Sequence, residues 1–270
     1  MSEATLQNTD GAGAARTRGR GDRRYAVDLW ATDLNDVEFG LFRHTKHRAK
    51  SEQFTKDMDV IGDVKRDGQR TGVLAYRSDL WRKTEGAKRR LVLKLFSSTM
   101  NWRGTMDMMV GRSLQQTHGA DGVPVLAYSV NLSGQDQVIQ LERSADQWMF
   151  WPEKFSFFIM DEKGPRFYKL RQNLLSIGRD YVLYDQQNRR IGYVDGKLAS
   201  IGGYWRVRVK PEHDDPKLDA TLQLFCASLR FNKAARRHVS RLARDLRRGR
   251  ASIAFDAQER DLYLNPRRRR

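Results

Sequence analysis

His44 and His47 form an H-x-x-H pair, a spacing that can bring two imidazoles to one metal ion. Zinc takes about four ligands, and no cysteine or carboxylate stands at a suitable spacing beside this pair. It reads as two solvated surface histidines next to Lys46 and Arg48. Asp57, Asp59 and Gly62 fall at the first, third and sixth places of a calcium loop. Ile61 holds the fifth place and Gly68 the place of the bidentate glutamate, so the stretch reads as a polar turn. There is no G-x-S-x-G elbow, no G-x-x-x-x-G-K-[ST] loop and no G-x-G-x-x-G turn. The single cysteine, Cys226, excludes an intramolecular disulfide and lies in an uncharged apolar stretch, where it reads as an inert buried thiol. No catalytic residue, metal ligand or cofactor is assigned, and the expectation is a protein that is not an enzyme.

Arginines give a clearer pattern. Ala235, Val239, Leu242 and Leu246 form one apolar stripe at helical spacing. Arg237, Arg241, Arg244 and Arg248 repeat that spacing two positions later, roughly 200° round the helix. The spacing predicts a basic amphipathic helix over 233–248, with these arginines as an anion- or lipid-binding face. The apolar stripe either inserts among lipids or docks on the body of the protein.

The charge follows the same division. The 270 residues carry 50 Lys and Arg against 33 Asp and Glu, a net charge of +17. Residues 233–270 hold +9 of it, residues 1–24 hold +2, and the long body from 25 to 232 holds only +6. Such a balance points to an anionic partner carried by an appendage. Residues 1–24, rich in Gly, Ala, Thr and Arg, read as a disordered basic arm. Arg267 to Arg270 read as a solvated tail.

Trp148, Phe150, Trp151, Phe155, Phe157 and Phe158 crowd together and could stack nucleic-acid bases. Trp148 alternates with Phe150 and Phe155 with Phe157, the period of a half-buried strand, so core packing is the reading preferred.

The elements that hold these residues are mostly strands. Thr71–Tyr76, Arg90–Phe96, Val123–Val130 and Gln137–Glu142 are short β-rich runs between turn residues. Thr105–Val110 reads as strand or short helix, and residues 25–60 are the least readable. Residues 155–209 carry a repeat at an offset of 24 positions. Asp161 matches Asp185, Phe157 and Ile159 match Tyr181 and Leu183, and Phe167 and Leu170 match Ile191 and Val194. Leu174, Ser176, Ile177 and Gly178 match Leu198, Ser200, Ile201 and Gly202. Repeated strand, Asp turn and strand build an antiparallel meander, which hides its edges most simply by closing into a barrel. Lys217–Phe231 is apolar all round with Asp219 as its one acid, so it must be buried on every side. A barrel with a helix through its middle provides that.

Residues 155–231 resemble the tubby C-terminal-like superfamily, in its LURP-one-related and phospholipid-scramblase-like branch. The resemblance rests on FIMDEKGPRFYKL, YVLYDQQNRRIGYV, LLSIG, LASIG, YWRVRV and DATLQLFCASLRF. It implies a mainly β fold, a closed antiparallel barrel of about 12 strands around a central hydrophobic helix at about 217–231, here spanning 25–232. It also implies attachment to membranes or phosphoinositides, or lipid translocation. The chain lacks the cysteine cluster and proline-rich segment of scramblases, which leaves the binding role.

No apolar stretch reaches the roughly 18 residues that span a bilayer, and no secretory signal opens the chain. The expectation is a cytoplasmic protein, peripheral at the inner membrane face and not transmembrane, that binds anionic phospholipid surfaces. Sequence-nonspecific nucleic-acid binding and a protein-interaction scaffold are the alternatives; an enzyme with a site in the N-terminal half ranks last.

Overall fold

The computed structural model describes residues 22–30, 51–55, 57–145, 152–162, 164–174, 180–197, 202–250, 254–255 and 257–263. Its strands are β1 (Arg23–Leu29), β2 (Met58–Arg66), β3 (Gln69–Arg77), β4 (Val92–Ser97), β5 (Trp102–Met108) and β6 (Ala127–Leu132). They continue as β7 (Val138–Arg143), β8 (Lys154–Asp161), β9 (Gly164–Gln172), β10 (Tyr181–Tyr184), β11 (Arg190–Gly196) and β12 (Tyr204–Val209). Each pairs antiparallel with the next in sequence, and β12 returns to pair with β1, so the twelve strands close into one barrel. Helices α1 (Ser78–Arg82), α2 (Val110–Gly119), α3 (Pro216–Arg247) and α4 (Ala257–Asp261), with 3-10 turns at Gly86–Lys88 and Pro211–His213, complete the described elements.

Two kinds of wall make up the barrel. In β8 to β12, apolar and polar residues alternate along each strand: Trp205, Val207 and Val209 are buried while Arg206 and Arg208 are exposed. The outer face of β2 to β4 is instead covered. Met58, Val60, Val73, Ala75 and Phe96 form a second core there with Met100, under Trp30, Phe54 and Trp102. Strands buried on both faces lose their alternation.

Turn chemistry closes the hairpins. Asp67 and Gly68, with φ of 50° and 76°, join β2 to β3; both central residues at positive φ suit the twist of a two-residue hairpin. Between β10 and β11, the Asp185 carboxylate accepts from the backbone N–H of Gln187 and Arg189 at 3.0 and 2.8 Å. Gly62 lets β1 and β2 approach: a Cβ there would stand 2.2 Å from the Asp28 carbonyl oxygen.

Several expectations change. Asp59 and Gly62 lie within β2, so the stretch read as a polar turn is a strand. Asp59 accepts from the Tyr76 hydroxyl at 3.2 Å. Strand β1 begins at Arg23, inside the stretch assigned to the basic arm, whose first 21 residues lie outside the described ones. The repeat holds for Phe157 with Tyr181 and Ile159 with Leu183, all buried. It slips at Phe167, which is half-buried on the outer wall while Ile191 is in the core, because the β10–β11 ladder shifts register after Leu183. Ser176, Ile177, Gly178, Leu198, Ser200 and Ile201 lie outside the described residues.

The two expected helices are one. α3 runs unbroken for 32 residues, opened by Asp215, whose carboxylate accepts from the Lys217 N–H, and by Pro216 in its first turn. All residues from Leu218 to Leu229 are buried. Phe225 packs against Phe155 and Tyr181 at 5.1 and 5.2 Å, and Phe231 against Tyr76 at 5.1 Å. Cys226 is buried among them, and burial pushes its thiol pKa up.

Candidate anion-binding cleft

Beyond Leu229 the burial of α3 becomes one-sided. Ala235, His238, Val239, Leu242 and Ala243 are buried, whereas Lys233, Arg237, Arg241 and Arg244 are exposed. His238 fixes the helix to the barrel: its Nε2 lies 3.0 Å from the Arg89 carbonyl oxygen, and its ring meets Trp81 edge-on. Burial and the nearby Arg89 charge push the imidazole down to about 4. It is therefore neutral at pH 7, with Nε2–H donating to that carbonyl.

A cleft of about 550 Å³ runs along the exposed face. Lys233, Arg236, Arg237, Ser240, Arg241 and Arg244 line it from α3, and Pro124 lines it from the segment before β6. Behind it lies a buried carboxylate. Glu153 accepts from Arg143 Nε at 2.6 Å, from the Tyr181 hydroxyl at 2.7 Å and from Asn232 Nδ2 at 2.9 Å. Arg236 Nη1 stands 3.7 Å from the same carboxylate. Arg143 also donates to the Pro124 carbonyl, which sets the far wall of the cleft. The neighbouring Tyr128 hydroxyl is held protonated, first by burial and then by the Glu153 charge.

This arrangement is electropositive and offers donors. Guanidinium forks match phosphate and carboxylate oxygens in geometry and charge. Cations in the last helical turn, here Arg244 and Arg247, also suit the negative end of the helix dipole. Among the described residues, no three His, Cys, Asp or Glu side chains gather as a metal set.

Three of the four expected site residues, Arg237, Arg241 and Arg244, meet in the cleft; Arg248 is exposed at the helix C-cap and does not line it. Lys233, Arg236, Ser240 and Pro124 were not anticipated. Counting the stripe from Lys233 instead of Arg237 finds the helical ones, since 233, 236, 240 and 244 share one face. Of the apolar stripe, Ala235, Val239 and Leu242 are buried and Leu246 is 39% exposed. In the aromatic cluster, Phe155 and Phe157 are core, but Phe158 is 56% exposed on the outer wall. Trp148, Phe150, Trp151, His44, His47 and Arg267 to Arg270 lie outside the described residues.

The chain matches no protein-family model, no curated protein and no solved structure. Among the described residues, no helix is long and apolar enough to cross a membrane.

Proposed function

We propose that this chain is a non-catalytic binding module of tubby-like build, a barrel threaded by a hydrophobic helix, that adheres to anionic lipid surfaces. The unbroken burial from Leu218 to Leu229 supports the threaded helix. So do ring contacts that reach β8 and β10 through Phe225 and β3 through Phe231. The adhesive face is the stretch of α3 beyond Leu229, read as basic and amphipathic.

One observation carries the lipid reading: Lys233, Arg236, Arg237, Arg241 and Arg244 share one cleft on a rigid helix. Basic residues near an anionic leaflet contribute about 1 kcal/mol each. Adhesion is electrostatic rather than insertive, because Val239 and Leu242 are committed to the core. The inner leaflet facing the cytoplasm, where anionic lipids concentrate, is the surface this face suits.

Co-sedimentation with phosphatidylserine-containing and pure phosphatidylcholine vesicles tests the reading. Retention by the first alone, lost in an R237E/R241E/R244E variant that still melts cooperatively, supports it. Equal retention by both vesicles, or retention unchanged in the variant, overturns it.

A further inference from the structure

Strand register assembles a second cationic surface that no stretch of sequence displays. Lys154 of β8 pairs with Arg171 of β9, Arg171 with Val182 of β10, and Val182 with Tyr193 of β11. Tyr193 pairs with Arg208 of β12, and Arg208 with Arg24 of β1. These six residues alternate with the buried Phe155, Leu170, Tyr181, Val194, Val207 and Tyr25, so their side chains share the outer wall. Arg24, Arg171, Tyr193 and Arg208 are exposed.

The row crosses five strand-to-strand steps, or roughly 24 Å at the usual sheet spacing. Cations stand at both ends and an aromatic in the middle. Lys169, Tyr184 and Arg190 flank it on one side, with Arg190 stacked over the Tyr193 ring at 4.8 Å and Lys169 over Tyr184 at 5.5 Å. Further along β8 and β9, the exposed Phe158 packs on Phe167 at 5.0 Å. Asp195 stands beside the row, opposite Arg206, and Asp22 and Asp180 lie two residues from Arg24 and Val182. Arg24, Arg171 and Arg208 make no ion pair among the described residues.

Paired cations at the two ends, with exposed rings between and beside them, are what a single-stranded nucleic acid needs: charges for its phosphates and faces for its bases. Curvature selects among anions. The row passes over five of the twelve steps around a closed barrel, so its cations point in different directions. A flat bilayer meets a convex wall along a narrow strip and cannot reach both ends. A duplex, stiff over about 150 base pairs, cannot bend along it either. A flexible single strand can.

We propose that the outer wall of β8 to β12 and β1 is a binding track for a short segment of single-stranded nucleic acid, with Lys154, Arg171, Arg208 and Arg24 on phosphates and Tyr193 stacking a base. The track is independent of the α3 cleft. Its length suits about four nucleotides, the short end of the range for single-strand-binding barrels.

Fluorescence anisotropy of the full chain with labelled oligo(U) or oligo(dT) tests this. The strand binds at about 50 mM salt and weakens steeply toward about 200 mM. In an R171A/R208A variant the salt slope falls by about 1.4, from two lost single-strand phosphate contacts. Y193A weakens binding by about 5- to 150-fold, the worth of one stacked base. Thermal melting checks that both variants stay folded, as substitutions at exposed outer-wall positions should. Four outcomes overturn the proposal: no binding at low salt, equal binding of a duplex of the same length, affinity unchanged in R171A/R208A, or loss of vesicle rather than oligonucleotide binding in that variant.

Discussion

Arg236 of α3 holds its Nη1 3.7 Å from Oε1 of Glu153, the residue just before β8. The same oxygen accepts from Arg143 Nε, and Arg143 reaches on to the Pro124 carbonyl. One buried carboxylate thus joins the helix, the barrel wall and the far side of the cleft.

Replacing Glu153 by Gln keeps the volume and removes the charge. Arg143, whose side chain is fully buried, is then left as a cation without a counter-ion. Breaking a buried pair in this way costs about 3–5 kcal/mol. Tyr181→Phe removes one neutral donor to the same carboxylate and costs about 1.5–3 kcal/mol. Urea unfolding should rank the two in that order; a loss below about 1 kcal/mol for Glu153→Gln would mean that water screens Arg143.

That network was invisible in the sequence because its members lie far apart along the chain and each looks like an ordinary surface residue. Asn232 shows the consequence. It falls between the two helices expected at 217–231 and 233–248, yet α3 continues through it, and its side chain donates to Glu153. The barrel was legible where its wall is wet: Tyr204 to Val209 alternate in and out, and the Asp turns stand out. It was illegible at β2, where Met58 and Val60 face a second core under Phe54, so both faces are apolar and the period-two signal vanishes. The arginine stripe was legible because helical spacing alone defines it.

At Gly62 the two walls of one hairpin neighbour leave no room for a side chain. An added Cβ would stand 2.2 Å from the Asp28 carbonyl oxygen and 2.8 Å from Leu29 Cα, both backbone atoms that cannot rotate away. Gly62→Ala should destabilise by about 1–3 kcal/mol or more through overpacking. Gly134, at φ 71° with nothing within 4 Å, sets the comparison. Gly134→Ala carries only the left-handed backbone cost, about 1 kcal/mol. Melting temperatures of the two variants should separate accordingly.

Within the α3 cleft, the arginines should act as a group. At about 1 kcal/mol each near an anionic leaflet, an Arg237→Ala, Arg241→Ala, Arg244→Ala triple variant should bind phosphatidylserine vesicles roughly 100-fold more weakly. Arg248→Ala, outside the cleft lining, should cost less than about tenfold. Vesicle titrations at constant salt measure both, and a larger effect from Arg248 would move the adhesive face to the helix end.

Asp219 and His238, at opposite ends of α3, should pull stability in opposite directions with pH. Burial pushes the Asp219 carboxyl from 3.8 up to about 6, against the charges of Arg23, Arg66 and Arg103, while Asp215 adds to the rise. The folded state thus holds this proton more tightly than the unfolded chain. Its contribution is full below about 3.8 and is lost as pH rises to about 6. His238 behaves in reverse. Burial and the charges of Arg89 and Arg241 lower it from 6.5 to about 4, so its contribution is full above 6.5 and is lost as pH falls to about 4. The two slopes offset each other across the same window. Asp219→Asn should expose the histidine's slope, with stability rising between about pH 4 and 6.5. His238→Gln, which keeps a donor for the Arg89 carbonyl, should expose the carboxylate's slope, with stability falling from about pH 4 to 6. Urea midpoints measured across that range should tilt in opposite senses for the two variants; tilts of the same sign would mean that other groups govern the acid limb.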